Sequence, residues 1–221
     1  MVKKINKVEV GISYPNVNLG VNSRIDEGVI LGFSKDLNSK TITTIGKNAI
    51  FRPYTIVYAG VKIGDNFQTG PNVLIREENI IGNDVALWHG TTLNPGNIIE
   101  DGCRIHAGCF LELVRLGKRV FVGPHVVFTD DPHPTNPSPR THFGGALVED
   151  EAVIGGNVTV LPHIKIGRRA IIGAGSVVTK DIPEGEVWVG NPARFLKKVE
   201  DVICEIEEGK HNPYRDFWKI K

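Results

Sequence analysis

The chain has 221 residues, 41% of them hydrophobic, and 26 basic against 25 acidic side chains leave a net charge of +1. That balance, with no long block of either sign, gives no ground for a nucleic-acid partner, and no apolar run approaches the length of a membrane span. Three cysteines, Cys103, Cys109 and Cys204, form no C-x-x-C pair and leave an odd one over, so a reduced, cytoplasmic chain is expected.

The opening "MVKKINKVEVG" carries lysines with no apolar run behind them, and no signal peptide is expected. Val8, Val10 and Ile12 alternate weakly before an Asn/Gly-rich stretch. Residues 1–24 are read as a cap, because a column of repeats needs its open end covered. "SKDLNSK" at 34–40 reads as a small polar loop.

From Ile45 a period of six takes over. Stepping by six from Ile45 to Leu111 meets an apolar residue at eleven of twelve places, Thr69 being the exception. One residue then drops out, and the period resumes at Leu116, Val122 and Phe128 and again from Val148 to Val178. Glycine follows the apolar residue at 46, 64, 82, 117, 123, 155, 167 and 173, where it is expected to permit backbone angles that a side chain resists. The residue four past the apolar one is often small or branched, as at Ala49, Thr55, Cys103 and Ser176.

Six is neither the helical 3.6 nor a simple strand alternation, and amphipathic helices or a sandwich do not explain its persistence. It fits a short strand and a turn, three of which close one triangular coil. Coils stacked at strand spacing, ~4.8 Å, give roughly seven layers and a prism about 33 Å tall. The general rule for parallel crossovers is right-handed, and spacing alone does not overturn it.

The repeat resembles the hexapeptide-repeat family over roughly residues 25–31 and 45–189. Within it, "GAGSVVTKDIP" followed by "GNPAR" is similar to the C-terminal coils of acetyl-CoA-dependent acyltransferases. The resemblance implies an all-β, left-handed parallel β-helix. It also implies a homotrimer with sites between subunits and acetyl-CoA as co-substrate.

The repeat is broken by "FTDDPHPTNPSPRTHFGG", and the excursion from Thr129 to Leu147 is long for a loop without structure of its own. Its prolines stiffen it. A stiff arm on a rigid prism can place a side chain in a neighbour's groove. "VGPHVVFTDDPHP" aligns without a gap with sugar O-acetyltransferases in which a His-Pro pair follows the point of departure. By that resemblance His133 is the general base. A sugar hydroxyl needs its proton accepted in the transition state, and imidazole titrates close to neutrality. Asp131 is the candidate to orient the ring, as carboxylates do in triads. For Asp130 a solvated loop charge is preferred, and His142 ranks well below His133.

"LWHGTTLNPGN" resembles Trp-His pairs in nucleotide-sugar N-acetyltransferases, which implies that His89 and Asn94 line an acceptor pocket. The alternative is that they decorate an outer face or a subunit seam, which is the preferred reading for His106, His125 and His163. His89 and His106 lie nearly one coil apart, but a catalytic zinc site wants three protein ligands. No metal is expected, and a γ-class carbonic-anhydrase-like zinc protein stays a minor alternative.

Carried over by resemblance, Gly156 and Ala174 meet the pantetheine arm of coenzyme A. Thr179 and Lys180 lie near its adenine end, and Arg194 and Lys197 meet the 3′-phosphate. Arginine suits phosphate by two parallel bonds, whereas lysine offers a point charge. No P-loop or dinucleotide fingerprint is present. After the last coil, Phe195, Val199, Val202, Ile203 and Ile206 recur at threes and fours. An amphipathic helix ending near Gly209 is expected, followed by an aromatic tail that packs against something, a neighbouring subunit among the options.

The chain is therefore expected to be an acetyltransferase acting on a hydroxyl or amine of a sugar or nucleotide-sugar. The competing expectation is a non-catalytic hexapeptide-repeat scaffold or regulatory subunit.

Overall fold

The computed structural model describes residues 12–13, 15–36, 40–136, 142–206, 211–215 and 218. Val8, Val10, Gly209 and residues 137–141 of the excursion lie outside them.

Three sheets make the three faces of a prism. The first face runs from Ile12–Ser13 through Ile56–Tyr58, Thr92–Leu93 and Val127–Phe128 to Val177–Val178, nine strands in all. The second runs from Val17–Leu19 to Lys165–Ile166, and the third from Arg24–Ile25 to Glu186–Val189. Within each face the register steps by eighteen residues, as in Ile56↔Leu74↔Thr92↔Phe110, so one coil is three hexapeptides. The step shortens to seventeen at Phe110↔Val127, where the sixfold count loses its residue. It lengthens to thirty-two at Val127↔Thr159, which spans the excursion. The fold is all-β, a left-handed parallel β-helix.

The sixfold residues point inward and are buried: Phe51, Val57, Ile75, Leu93, Ile105, Leu111, Phe128 and Ile154 have no more than 1% of their surface exposed. Each such side chain contributes about 1.5–3 kcal/mol by leaving water. The small residues four places on fill the corners of the triangle: Ala49, Thr55, Cys103, Ala152 and Ser176 are all at 0%.

Three expectations are corrected. The glycines after the inward residues do not serve unusual torsion angles. The positive φ falls two residues later, at Asn48, Asn66, Asp84, Arg119, Asn157 and Arg169. Gly64 is needed because a β-carbon there would stand 2.6 Å from Asn83 Oδ1 and 2.8 Å from the Gly82 carbonyl carbon of the next coil. Close approach between coils is the cause.

Residues 12–25 are not a cap. Ile12–Ser13, Val17–Leu19 and Arg24–Ile25 pair in parallel with the coil that follows. The prism thus has nine layers on its first face, ~38 Å from first strand to last at ~4.8 Å spacing. The insertion at 34–42 hides this extra coil from a sixfold count.

Among the described residues no amphipathic helix follows the last coil. Arg194–Lys198 turns back as a strand antiparallel to Glu186–Val189 and is followed by a short 3₁₀ turn at Val199–Asp201. Val199 is buried, but Phe195, Ile203 and Ile206 are exposed, so the spacing of apolar residues over so short a segment did not mark a buried helix face.

The aromatic tail packs on its own chain. Trp218 and Tyr214, stacked at 4.7 Å, cover Ile171, Val187 and Val199 on the third face. Arg169 Nη2 donates to the Trp218 carbonyl at 3.0 Å and ties the tail to the prism.

Candidate active site

The predicted site residues fall on two edges of the prism, the two that flank the first face. Asn94, Asp131, His133, Thr179 and Lys180 lie on the edge between first and second faces. His89, Gly156 and Ala174 lie on the edge between third and first, and Arg194 follows its last corner. His89 and Asn94 are therefore not brought together, since the strand Thr92–Leu93 runs between them. Along the prism axis, His89 and Asn94 sit on coils before the arm, whereas Gly156, Ala174, Thr179, Lys180 and Arg194 sit on coils after it.

The arm has a closed neck. Gly144 N–H donates to the Asp130 carbonyl at 2.9 Å, so the chain leaves and returns at one point. At that point Gly145 packs directly on the backbone of Leu113, with Glu112 O beside it. A side chain at 145 would not fit. Beyond the neck, His133 is exposed, and its imidazole makes no hydrogen bond to the described residues.

Among the described residues Asp131 makes no hydrogen bond to that ring. Its Oδ1 accepts the backbone N–H of His133 at 2.8 Å, a local turn of the kind short acidic side chains favour. The carboxylate thus sets the backbone of His133. His142 is exposed, and its carbonyl accepts a hydrogen bond from His163 Nε2 at 2.8 Å. His163, which the sequence leaves as decoration, is thereby a strut under the arm. The signal for it is the Gly144–Gly145 pair, whose small residues admit the ring.

On the third-to-first edge the Trp88 ring stacks on His106 at 4.4 Å with planes 10° apart, and His106 meets Phe121 at 5.0 Å. His106 is thus packed against Trp88, one coil away, and not against His89. His89 itself is exposed. No group of three His, Cys, Asp or Glu side chains suited to a metal occurs among the described residues.

Asn94 belongs to a rigid polar ladder. Its Nδ2 donates to Glu112 Oε2 on the next coil at 2.9 Å, and its carbonyl accepts from the buried Asn79 and Asn97 at 2.9 and 2.6 Å. Glu112 went unnoticed in the sequence. The signal for it was the shortened coil at 112–116.

The corner proposed for the pantetheine arm is bare. Gly155 packs on Ala174 N, 2.6 Å from where its β-carbon would be, and a β-carbon at Gly175 would meet nothing within 4 Å. Ala174 is exposed and Gly156 half-buried, so an extended ligand would meet backbone there. Thr179 is exposed. Lys180 Nζ lies 4.9 Å from the centre of the Trp188 ring, the indole that closes the end of the core. Arg194 is exposed, with Nη1 donating to the neighbouring Ala193 carbonyl at 2.9 Å, and Lys197 is exposed with no ion pair among the described residues. These residues fit a phosphorylated, extended co-substrate: small corners for its arm and two exposed cations for its phosphates.

The cysteines are poor nucleophiles. Burial pushes the Cys103 thiol up to about 12 and the Cys109 thiol up to about 11, and each donates to a carbonyl, Gly117 O at 3.0 Å and Gly123 O at 3.1 Å.

Stacked triangular coils, a histidine-bearing arm on one edge and a bare small-residue corner on the next define a β-helical transferase scaffold. The family "Bacterial transferase hexapeptide (six repeats)" matches residues 145–180. "Putative acetyltransferase C18B11.09c" of Schizosaccharomyces pombe is 31% identical over 157 residues, 63% of this chain and 76% of that one. Galactoside O-acetyltransferase of Lactococcus lactis is 36% identical over 115 residues, 48% of this chain and 56% of that one. Bifunctional protein GlmU of Clostridioides difficile is 28% identical over 187 residues, 85% of this chain, and the chain spans only 38% of GlmU. In structure, the Arabidopsis UDP-N-acetylglucosamine acyltransferase superposes with a TM-score of 0.53 at 17% identity, over 86% of this chain and 73% of that one. The polySia-specific acetyltransferase NeuO superposes with a TM-score of 0.50 at 20% identity, over 90% and 89%. Both likenesses concern the fold. This chain belongs to the hexapeptide-repeat family of acetyltransferases.

Proposed function

We propose that the protein transfers an acetyl group from acetyl-CoA to a hydroxyl or amine of a sugar or nucleotide-sugar, with His133 as general base. The observation that carries this is the arm: an exposed imidazole on a closed neck, between coils bearing the acceptor candidates and coils bearing the coenzyme A candidates. The kinship with sugar O-acetyltransferases supports a hydroxyl acceptor.

In this mechanism the acceptor oxygen or nitrogen attacks the thioester carbonyl while the His133 ring takes its proton. The tetrahedral oxyanion is held by a backbone N–H. As the C–S bond breaks, the imidazolium returns its proton to the departing thiolate, and no acyl-enzyme forms. Asp131 holds the His133 backbone in place, and Arg194 and Lys197 hold phosphate.

The site is completed between copies in a homotrimer. The outward residues of the first face, Ile30, Ile56, Leu74, Thr92, Phe110, Val127, Thr159 and Val177, are uncharged and half-buried, whereas Lys62, Arg115 and Lys165 face outward on the second. Packing the uncharged face against another copy would bring the arm's edge of one subunit to the bare corner of the next. A non-catalytic scaffold is not favoured, because it gives the arm, the bare corner and the exposed cations no purpose.

The test is His133→Ala, assayed by thiol release from acetyl-CoA across a panel of sugar acceptors. Turnover should fall ~10²–10⁴-fold, while coenzyme A still raises the melting temperature of the variant. Unchanged turnover would remove His133 from the mechanism, and no thermal shift with coenzyme A in the wild type would favour the scaffold.

A further inference from the structure

The edge that carries the arm also carries one aromatic or polar side chain per coil before it. Tyr58, Arg76, Asn94 and Glu112 occupy the same position, two residues past the start of each first-face strand, on successive coils. Thr129, at the root of the arm, is the next in line. The row is rigid. Buried Asn79 donates to the carbonyls of Arg76 and Asn94 at 2.9 Å each, buried Asn97 donates to Asn94 O at 2.6 Å, and Val114 N–H returns to Asn97 Oδ1 at 2.9 Å. Arg76 is fixed by two contacts to Glu77, at 2.7 and 3.1 Å. At the far end Phe33 and Tyr58 meet edge-to-face at 4.9 Å, and with Glu77 and Glu78 they line a cleft of about 420 Å³.

We propose that this edge holds an oligosaccharide chain, whose terminal or near-terminal unit is the one presented to His133. This rests on the acetyltransferase function proposed above and extends its substrate class. The coil spacing of ~4.8 Å is close to the length of one hexopyranose unit, and four spacings from Tyr58 to Thr129 span ~19 Å, about four units. Each unit would meet one side chain. The apolar C–H face of a pyranose suits the rings of Phe33 and Tyr58, and its hydroxyls donate to Glu77 and Glu112 and exchange hydrogen bonds with Asn94. Such a row discriminates between a polymer and a single nucleotide-linked sugar, because a monosaccharide at His133 leaves the Tyr58 end unused.

The experiment measures binding of neutral malto-, cello- and chito-oligosaccharides, one to six units long, to immobilised protein without an acetyl donor. In at least one series affinity should rise about tenfold or more from one unit to about four and then level off. Tyr58→Ala should lose that gain and Tyr58→Phe should keep it, with the coenzyme A thermal shift of each variant as the check on folding. Affinity that does not grow with length in any series, growth untouched by Tyr58→Ala, or tighter binding of nucleotide-linked sugars than of every oligosaccharide overturns the proposal. Absence of a coenzyme A shift in the wild type would instead sink the acetyltransferase function, so the two failures are told apart.

Discussion

The ring of His163 lies directly under Gly144, and its Nε2 donates to the carbonyl of His142 at 2.8 Å. His163 N–H also donates to the Gly144 carbonyl at 3.0 Å, so one residue of the following coil holds the returning strand of the arm at three points. The backbone of His163 has φ +62°, which asparagine tolerates. His163→Asn should therefore keep the coil while removing the strut. With His133 as the proposed base, loss of orientation in its arm is expected to lower kcat about tenfold or more, with the coenzyme A dissociation constant unchanged and the melting temperature within a few degrees of wild type. Steady-state kinetics beside a melting curve separate this from a general loss of stability.

A second relationship governs stability at low pH. Glu151, 7% exposed, sits among Arg119 Nη2 at 2.6 Å, Arg169 Nε at 2.7 Å and Arg168 Nη2 at 3.2 Å. Burial pushes its carboxyl up, but the three guanidiniums outweigh burial and hold it at about 2. Its pKa is thus lower folded than unfolded, so its contribution is complete above the ordinary glutamate value of about 4.3 and is lost as pH falls toward 2. Glu151→Gln should cost about 1–3 kcal/mol at pH 7, a fall of about 5 °C in melting temperature. The gap between variant and wild type should close as pH falls from about 4.5 to 2. A gap that stays constant over that range would show that packing, not charge, is what Glu151 supplies.

The inter-coil glycines give a third prediction. Gly64→Ala forces a methyl to within 2.9 Å of the Gly82 carbonyl carbon and the Asn83 amide nitrogen, so the coils must part. A loss of about 1–3 kcal/mol is expected. Asn66→Gly, at the corner whose φ is +57°, relieves torsion and loses only the side-chain bonds to Asn48 and Asp84. It should cost less than Gly64→Ala. Chemical denaturation of the two variants ranks them, and the reverse order would restore torsion as the reason for the glycines.

Those glycines also show what the sequence could and could not convey. The inward residues, the corner residues and the break at 129 were legible because each is a chemical type repeated at one interval, and burial enforces it at every coil. The reason for Gly64 was not, since a torsion requirement and a close approach both select glycine. The strand at Arg194–Lys198 was misjudged because, outside the coils, no neighbour enforced a period. The site was legible only one edge at a time: His133 and Asn94 share an edge, but His89 does not, and the offset follows from each hexapeptide turning the chain onto the next face. Glu112 and His163 were missed because their partners, Asn94 and His142, lie a coil away in space.

Asp131 supplies the last test. Its Oδ1 accepts the His133 N–H at 2.8 Å, a role that an asparagine carbonyl fills equally well and that needs no charge. A carboxylate that stabilised the imidazolium would have to be ionised. The two roles therefore diverge in Asp131→Asn. Backbone positioning predicts near wild-type kcat for Asn, with a pH–rate profile that does not move, while Asp131→Ala loses the turn and falls about tenfold or more. Charge stabilisation predicts instead that Asn and Ala fall together and that the acidic limb of the profile, where a general base is lost to protonation, shifts to lower pH, because the imidazolium has lost its counter-charge. Rate against pH for the two variants decides between them, and equal collapse of both would return Asp131 to the ring.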